Sequence, residues 1–155
     1  TALVAGLAVI ARMTGWHTAK TLGDPLVWSL HAGAAWVAVG FLFVAAGDLG
    51  APVPTTAGLH ALTAGAIGAM ILAVMTRVSL GHTGRPLVLP PCAVWCYALL
   101  HAGAIARVAS ALAPAGSSAT ALLVVAGALW AGAFVLFAAL YAPILVRPRP
   151  DGVDG

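Results

Sequence analysis

Long apolar stretches separated by short polar turns run through the whole chain. Four of them are each long enough for an α-helix that crosses a bilayer, which needs roughly 20 residues. They lie at about 25–47, 56–80, 90–112 and 118–146. A fifth apolar run at 1–13 is too short for a complete span, and a polar tail follows at 147–155. The pattern predicts an all-α, polytopic transmembrane helical bundle with four complete spans and one truncated N-terminal span.

The incomplete first run has two interpretations. The favoured one is that the chain is the C-terminal piece of a longer protein, whose earlier helices would pack beside these. A signal peptide is the alternative for residues 1–13. It is weaker, because no basic region precedes the run and no A-x-A site follows it.

Helix-end signals mark several boundaries of the spans. Asp24 followed by Pro25 is typical of an N-cap and a first helical residue. Gly81 predicts the end of the second span, as the residue that follows the helix. The other predicted N-caps are Thr55 or Thr56 for the second span and Ser117 or Ser118 for the last.

Composition supports a membrane protein and argues against a nucleic-acid-binding one. Hydrophobic residues make up 62% of the chain and charged residues 7%, whereas a soluble domain carries about 25% charged residues. The formal charge of +3 comes from scattered basic residues that form no patch. The lipid bilayer is therefore the first predicted partner.

The distribution of lysine and arginine predicts the orientation. Basic residues occur in the 12–24 and 77–87 loops and in the 147–155 tail, but not in the 47–56 and 113–118 turns. Basic loops and loops without basic residues therefore alternate, as the positive-inside rule requires. The basic loops and the C-terminus are predicted to lie in the cytoplasm.

Three histidines fall inside the predicted spans, where an ionisable ring is costly and usually functional. Imidazole is also the commonest metal ligand in proteins. Helix rise places His31 about 9 Å, His101 about 15 Å and His60 about 24 Å from the cytoplasmic side. Two axial haem ligands need nearly equal depth, so His31 with His101 is the best pair within the chain. His60 would then need a partner from elsewhere, or a separate role.

Other roles for these polar residues stay open. Each intramembrane histidine could simply hydrogen-bond a neighbouring helix, or the three could form a proton relay. The relay is disfavoured because no carboxylate lies within the spans. Cys92 and Cys96 share a helix face and could bind a soft metal such as copper. Cysteine is also common as a small apolar residue.

A second distinctive stretch joins the second and third spans. Arg77, His82 and Arg85 concentrate donors and positive charge near a helix end. Such a cluster suits an anion, for example a haem propionate, nitrite or a lipid phosphate. The alternative is a positive-inside loop that only orients the protein.

The run Met75-Thr76-Arg77, followed by Gly81-His82-Thr83-Gly84-Arg85-Pro86, resembles the signature of the NnrS family. The resemblance covers nearly the whole chain. Further matching stretches are Arg12-Met13-x-x-Trp16, Leu30-His31 with Trp36, His60-Ala61-Leu62-Thr63 with Gly65, and Tyr141-Ala142-Pro143-Ile144-Leu145.

The resemblance implies a polytopic protein of the bacterial inner membrane, linked to denitrification and to tolerance of nitric oxide. It implies haem b as cofactor, with copper as a second candidate, and makes His31, His60 and His82 candidate metal ligands. His101 is a fourth candidate in a less specific context, and Arg77 and Arg85 are candidate cofactor contacts.

The function predicted from these features is a membrane haem or copper protein that binds nitric oxide or protects the cell against it. Whether it turns over a substrate is left open. The alternatives are a multi-pass transporter with histidines along a polar path and a structural membrane subunit.

Overall fold

The computed structural model describes residues 1–150 and residue 152, and in this range the chain is all-helical. Four long helices follow a short one, as the sequence predicts. Their bounds are α1 Ala2–Thr14, α2 Pro25–Asp48, α3 Thr55–His82, α4 Val94–Leu112 and α5 Ser117–Val146. Short 3-10 segments at Thr18–Thr21 and Pro91–Ala93 lead into α2 and α4. Helices α2, α3, α5 and α4 with its lead-in are long and apolar enough to cross a membrane. Part of the predicted tail, residues 151 and 153–155, lies outside the described residues.

The start of α2 confirms the predicted cap. The Asp24 carboxylate accepts a hydrogen bond of 3.0 Å from the backbone N–H of Leu26. Helices α3 and α5 instead begin at Thr55 and Ser117 with no side-chain cap hydrogen bond. The predicted threonine and serine caps are therefore wrong, because the proline and the glycine before them occupy the capping positions.

The predicted end of α3 at Gly81 is also wrong, since the helix continues to His82. The Thr83 hydroxyl donates to the carbonyl of Ser79 at 2.6 Å. A carbonyl of the last helical turn is therefore bonded by a residue that follows Gly81. The left-handed residue comes later, at Gly84, with φ 66°.

Glycines allow the helices to approach closely. A Cβ atom on Gly58 of α3 would lie 2.9 Å from the carbonyl oxygen of Gly40 in α2. A Cβ atom on Gly103 of α4 would lie 2.9 Å from the backbone nitrogen of Trp130 in α5. Lipid provides no hydrophobic driving force for helix association. Small residues at such crossings allow the close van der Waals packing that holds the helices together instead.

An unpredicted π-helical segment, Ala61–Ile67, interrupts α3. Tryptophans from two neighbouring helices pack against it. The Trp36 ring lies 2.5 Å from the position that a Cβ atom on Gly65 would take, and Trp130 Nε1 donates to the carbonyl of Ala64 at 3.2 Å. Segments of this kind are frequent at functional sites, and this one begins directly after His60.

Candidate metal and ligand sites

The three intramembrane histidines line three separate concavities. His31 lines a pocket of about 400 Å³, His101 a groove of about 590 Å³, and His60 a pocket of about 260 Å³. None of these concavities contains two of the rings. The structure thus does not bring His31 and His101 into one pocket, and their pairing on one iron stays a prediction. The capacity of each ring to bind a metal depends on its own surroundings.

His31 projects from α2 towards the segment that joins α1 and α2. Its ring lies 5.1 Å from that of Trp16, and its Nδ1 atom is 3.4 Å from Thr21 Oγ1. The Thr21 hydroxyl donates its single proton to the carbonyl of Thr18 at 2.9 Å. Thr21 Oγ1 can therefore only accept from the imidazole, which assigns the proton of neutral His31 to Nδ1. The lone pair is then on Nε2, as in a metal-binding histidine whose second nitrogen donates to an acceptor.

The pocket around His31 is mostly apolar and contains a second soft donor. Val27 and Leu30 line it from α2, and Met70 lines it from α3. The Met70 sulfur lies 3.0 Å from the position that a Cβ atom on Gly33 would take, so the glycine leaves room for the thioether. An imidazole and a thioether from two helices thus line the same pocket.

His101 has the opposite arrangement. Its Nδ1 atom accepts a hydrogen bond of 3.0 Å from Trp36 Nε1. An indole N–H can only donate, so the proton of neutral His101 is assigned to Nε2. In the described part of the chain Nε2 has no hydrogen-bond partner, and the ring lines an otherwise apolar groove between α2 and α4. His101 therefore offers that groove an N–H donor, not a lone pair.

His60 shares its pocket with an arginine. It is the last α-helical residue before the π segment, and Arg107 of α4 and Trp130 of α5 line the same concavity. The Arg107 Nη1 atom donates to Ser110 Oγ at 3.0 Å. A cationic group beside an imidazole favours an anion over a metal cation.

The predicted anion cluster between the second and third spans makes hydrogen bonds with the segment that follows α5. Arg85 Nη2 donates to the carbonyl of Pro148 at 3.5 Å, and Arg149 Nη1 donates to the carbonyl of His82 at 3.0 Å. These contacts join the loop after α3 to the segment after α5. His82 and Arg77 are exposed at the end of α3, and their ligand roles stay predictions.

Within the described residues, no group of three or more histidine, cysteine or acidic side chains could hold a metal ion. The predicted cysteine pair differs in its surroundings, since Cys92 is exposed and Cys96 is buried. The described chain therefore offers a metal few donors in one place, and the best of these is His31 Nε2 with the Met70 thioether in the same pocket.

A buried hydroxyl cluster escaped the sequence analysis. Tyr97 of α4 lies 2.6 Å from the Thr76 hydroxyl of α3, whose own proton goes to the carbonyl of Ala73. The Tyr97 hydroxyl is therefore the donor. Ser29 Oγ of α2 and Tyr141 OH of α5 are buried without a partner in the described structure. The signal that could have found them is polar side chains within otherwise apolar spans.

A family model described as NnrS protein matches residues 1–149, which is nearly the whole chain. No curated protein and no solved structure matches.

Proposed function

Because the chain belongs to the NnrS family, we propose that it is a membrane protein that uses a histidine-bound metal to bind nitric oxide or to protect the cell against it. Family membership points to the nitric oxide response. The metal, its ligands and the mode of action are the proposed part. Family membership supports placing the protein in the inner membrane of a bacterium. The alternation of basic loops supports a C-terminus in the cytoplasm.

The observation that carries the proposal is the state of His31. An imidazole that contacts Thr21 through Nδ1 and lines a largely apolar pocket could hold the iron of haem b through Nε2. The same donor set, with the Met70 thioether nearby, also suits copper. His31 would hold the metal, and a second ligand would come from Met70 or from outside the described residues.

The chain's own residues then have separate tasks. Thr21 keeps the proton on Nδ1 and fixes the plane of the ring. Trp16, Val27 and Leu30 give the pocket apolar walls. When bound, the metal supplies a coordination position for a small neutral diatomic molecule, and apolar walls favour such a ligand over an ionic one.

Metal analysis and optical spectra of the protein purified from its native membrane test the proposal. We expect about one haem or copper per chain and, for haem, a Soret band that shifts when nitric oxide is added to the reduced protein. A buffer blank treated with the same nitric oxide solution is the control. A colourless protein free of iron and copper would contradict the proposal, and so would a spectrum indifferent to nitric oxide.

A further inference from the structure

The pocket beside His60 is lined by an arginine and is suited to an anion instead of a metal ion. It lies between α3, α4 and α5 and has a volume of about 260 Å³. Its polar side chains are few and its other walls are apolar. The polar ones are His60, Thr63, Arg107 and Trp130.

Among the described residues, no carboxylate partner of Arg107 lines this pocket. The residue lies five positions before the end of α4, or about 7.5 Å along the helix. The two aspartates of the described chain, Asp24 and Asp48, do not line the pocket. A guanidinium inside a membrane span is costly, so a functional partner is the default expectation.

The donors that remain for a ligand can be identified one by one. The Thr63 hydroxyl donates to the carbonyl of Leu59 at 2.7 Å, and Trp130 Nε1 donates to that of Ala64. Both protons are therefore committed. Arg107 donates one N–H to Ser110 Oγ, whose own proton goes to the Arg107 carbonyl at 2.7 Å.

Of the described side chains that line the pocket, only the rest of the guanidinium and the His60 ring are left to donate. Because a guanidinium has five N–H groups, most of its donors are free. The His60 ring and the Arg107 guanidinium line the same pocket of about 260 Å³, so one small ligand can reach both. With His60 neutral, the pocket carries a single positive charge.

We propose that this pocket binds a monoanionic oxyanion through Arg107 and His60. The planar fork of the guanidinium matches two oxygens of one group, which a lysine could not do. One positive charge matches one negative charge. Apolar walls strengthen the interaction by excluding water. The oxyanion is either a small free anion of the size of nitrate or the phosphodiester of a lipid headgroup.

The free-anion source is tested by titrating sodium nitrate into the purified chain in lipid-free detergent, at ionic strength held constant with sodium chloride. The readout is the ¹⁵N chemical shift of the His60 ring, assigned with the His60→Gln variant. We expect a saturable shift that chloride does not reproduce. Arg107→Ala should weaken nitrate binding at least tenfold, which corresponds to about 1.4 kcal/mol. Arg107→Lys should weaken it less, because the charge remains.

The lipid source is tested by mass spectrometry of phospholipid that copurifies with the chain. Retention by the wild type and loss in Arg107→Ala would assign the oxyanion to a headgroup. The matched control is Arg147→Ala, which removes an exposed arginine beyond the other end of α5 and should change neither readout. Circular dichroism confirms that each variant is folded. If neither nitrate nor phospholipid binds, if binding survives Arg107→Ala, or if chloride binds equally well, the proposal is overturned.

Discussion

Replacing His31 with alanine should remove the metal from the purified protein, whereas His101→Ala should leave it bound. The reason is the opposite protonation of the two rings. His31 has its proton on Nδ1 towards Thr21 and a free lone pair on Nε2, while His101 receives the Trp36 N–H on Nδ1 and keeps its proton on Nε2. Only the first arrangement is ready for a metal. The measurement is iron and copper content per chain, together with the haem absorbance.

A milder variant separates ligand loss from misfolding. Thr21→Val removes the acceptor for His31 Nδ1 and should weaken metal binding by about 10- to 100-fold, the usual effect of losing such a partner. Thr14→Val is the matched control, because the exposed Thr14 hydroxyl bonds only to the carbonyl of Ala11 in its own helix. Full metal occupancy in His31→Ala would show that the ligand lies elsewhere. Equal losses in His31→Ala and His101→Ala would show that their protonation does not distinguish them.

Gly103→Ala should be one of the most damaging small substitutions in the bundle. The added Cβ atom would lie 2.9 Å from the Trp130 nitrogen and 3.1 Å from the Ala126 oxygen. Both are backbone atoms, so no side chain can rotate away and α4 must move from α5. Overpacking typically costs about 1–3 kcal/mol of the free energy of unfolding. We expect the upper part of that range, measured by denaturation in mixed micelles.

Gly132→Ala on α5 is the matched control. Nothing lies within 4 Å of the Cβ atom it would add. The same change of residue should therefore be neutral or should stabilise the protein by about 0.5–1 kcal/mol, because alanine loses less conformational entropy than glycine on folding. If the two variants unfold at the same denaturant concentration, the close contact between α4 and α5 is not what holds that pair together.

The helices could be predicted because their cause is local. Length and apolar content decide whether a segment can span a bilayer, and the Asp24–Pro25 pair decides where α2 begins. The π segment could not be predicted in this way. Its stabilising contacts come from Trp36 and Trp130, which are distant from it along the chain.

The candidate histidines can be selected from the sequence, but their arrangement in the fold cannot. Helix rise gives the depth of His31, His60 and His101, yet it does not give the direction in which each ring points. That direction depends on how the helices rotate against each other, and it places the three rings in three concavities. Which ring nitrogen carries the proton also depends on residues that are distant in the sequence, since the hydrogen-bond partner of His101 is 65 positions away.

The protonation of the two imidazoles is measured most directly by ¹⁵N NMR of the metal-free protein labelled at histidine. The His31→Ala and His101→Ala variants assign the signals. We predict a protonated Nδ1 with an unprotonated Nε2 for His31, and the reverse for His101. Two rings with the same neutral form, or a His101 whose Nε2 carries no proton, would contradict the assignment of His31 as the metal-binding imidazole.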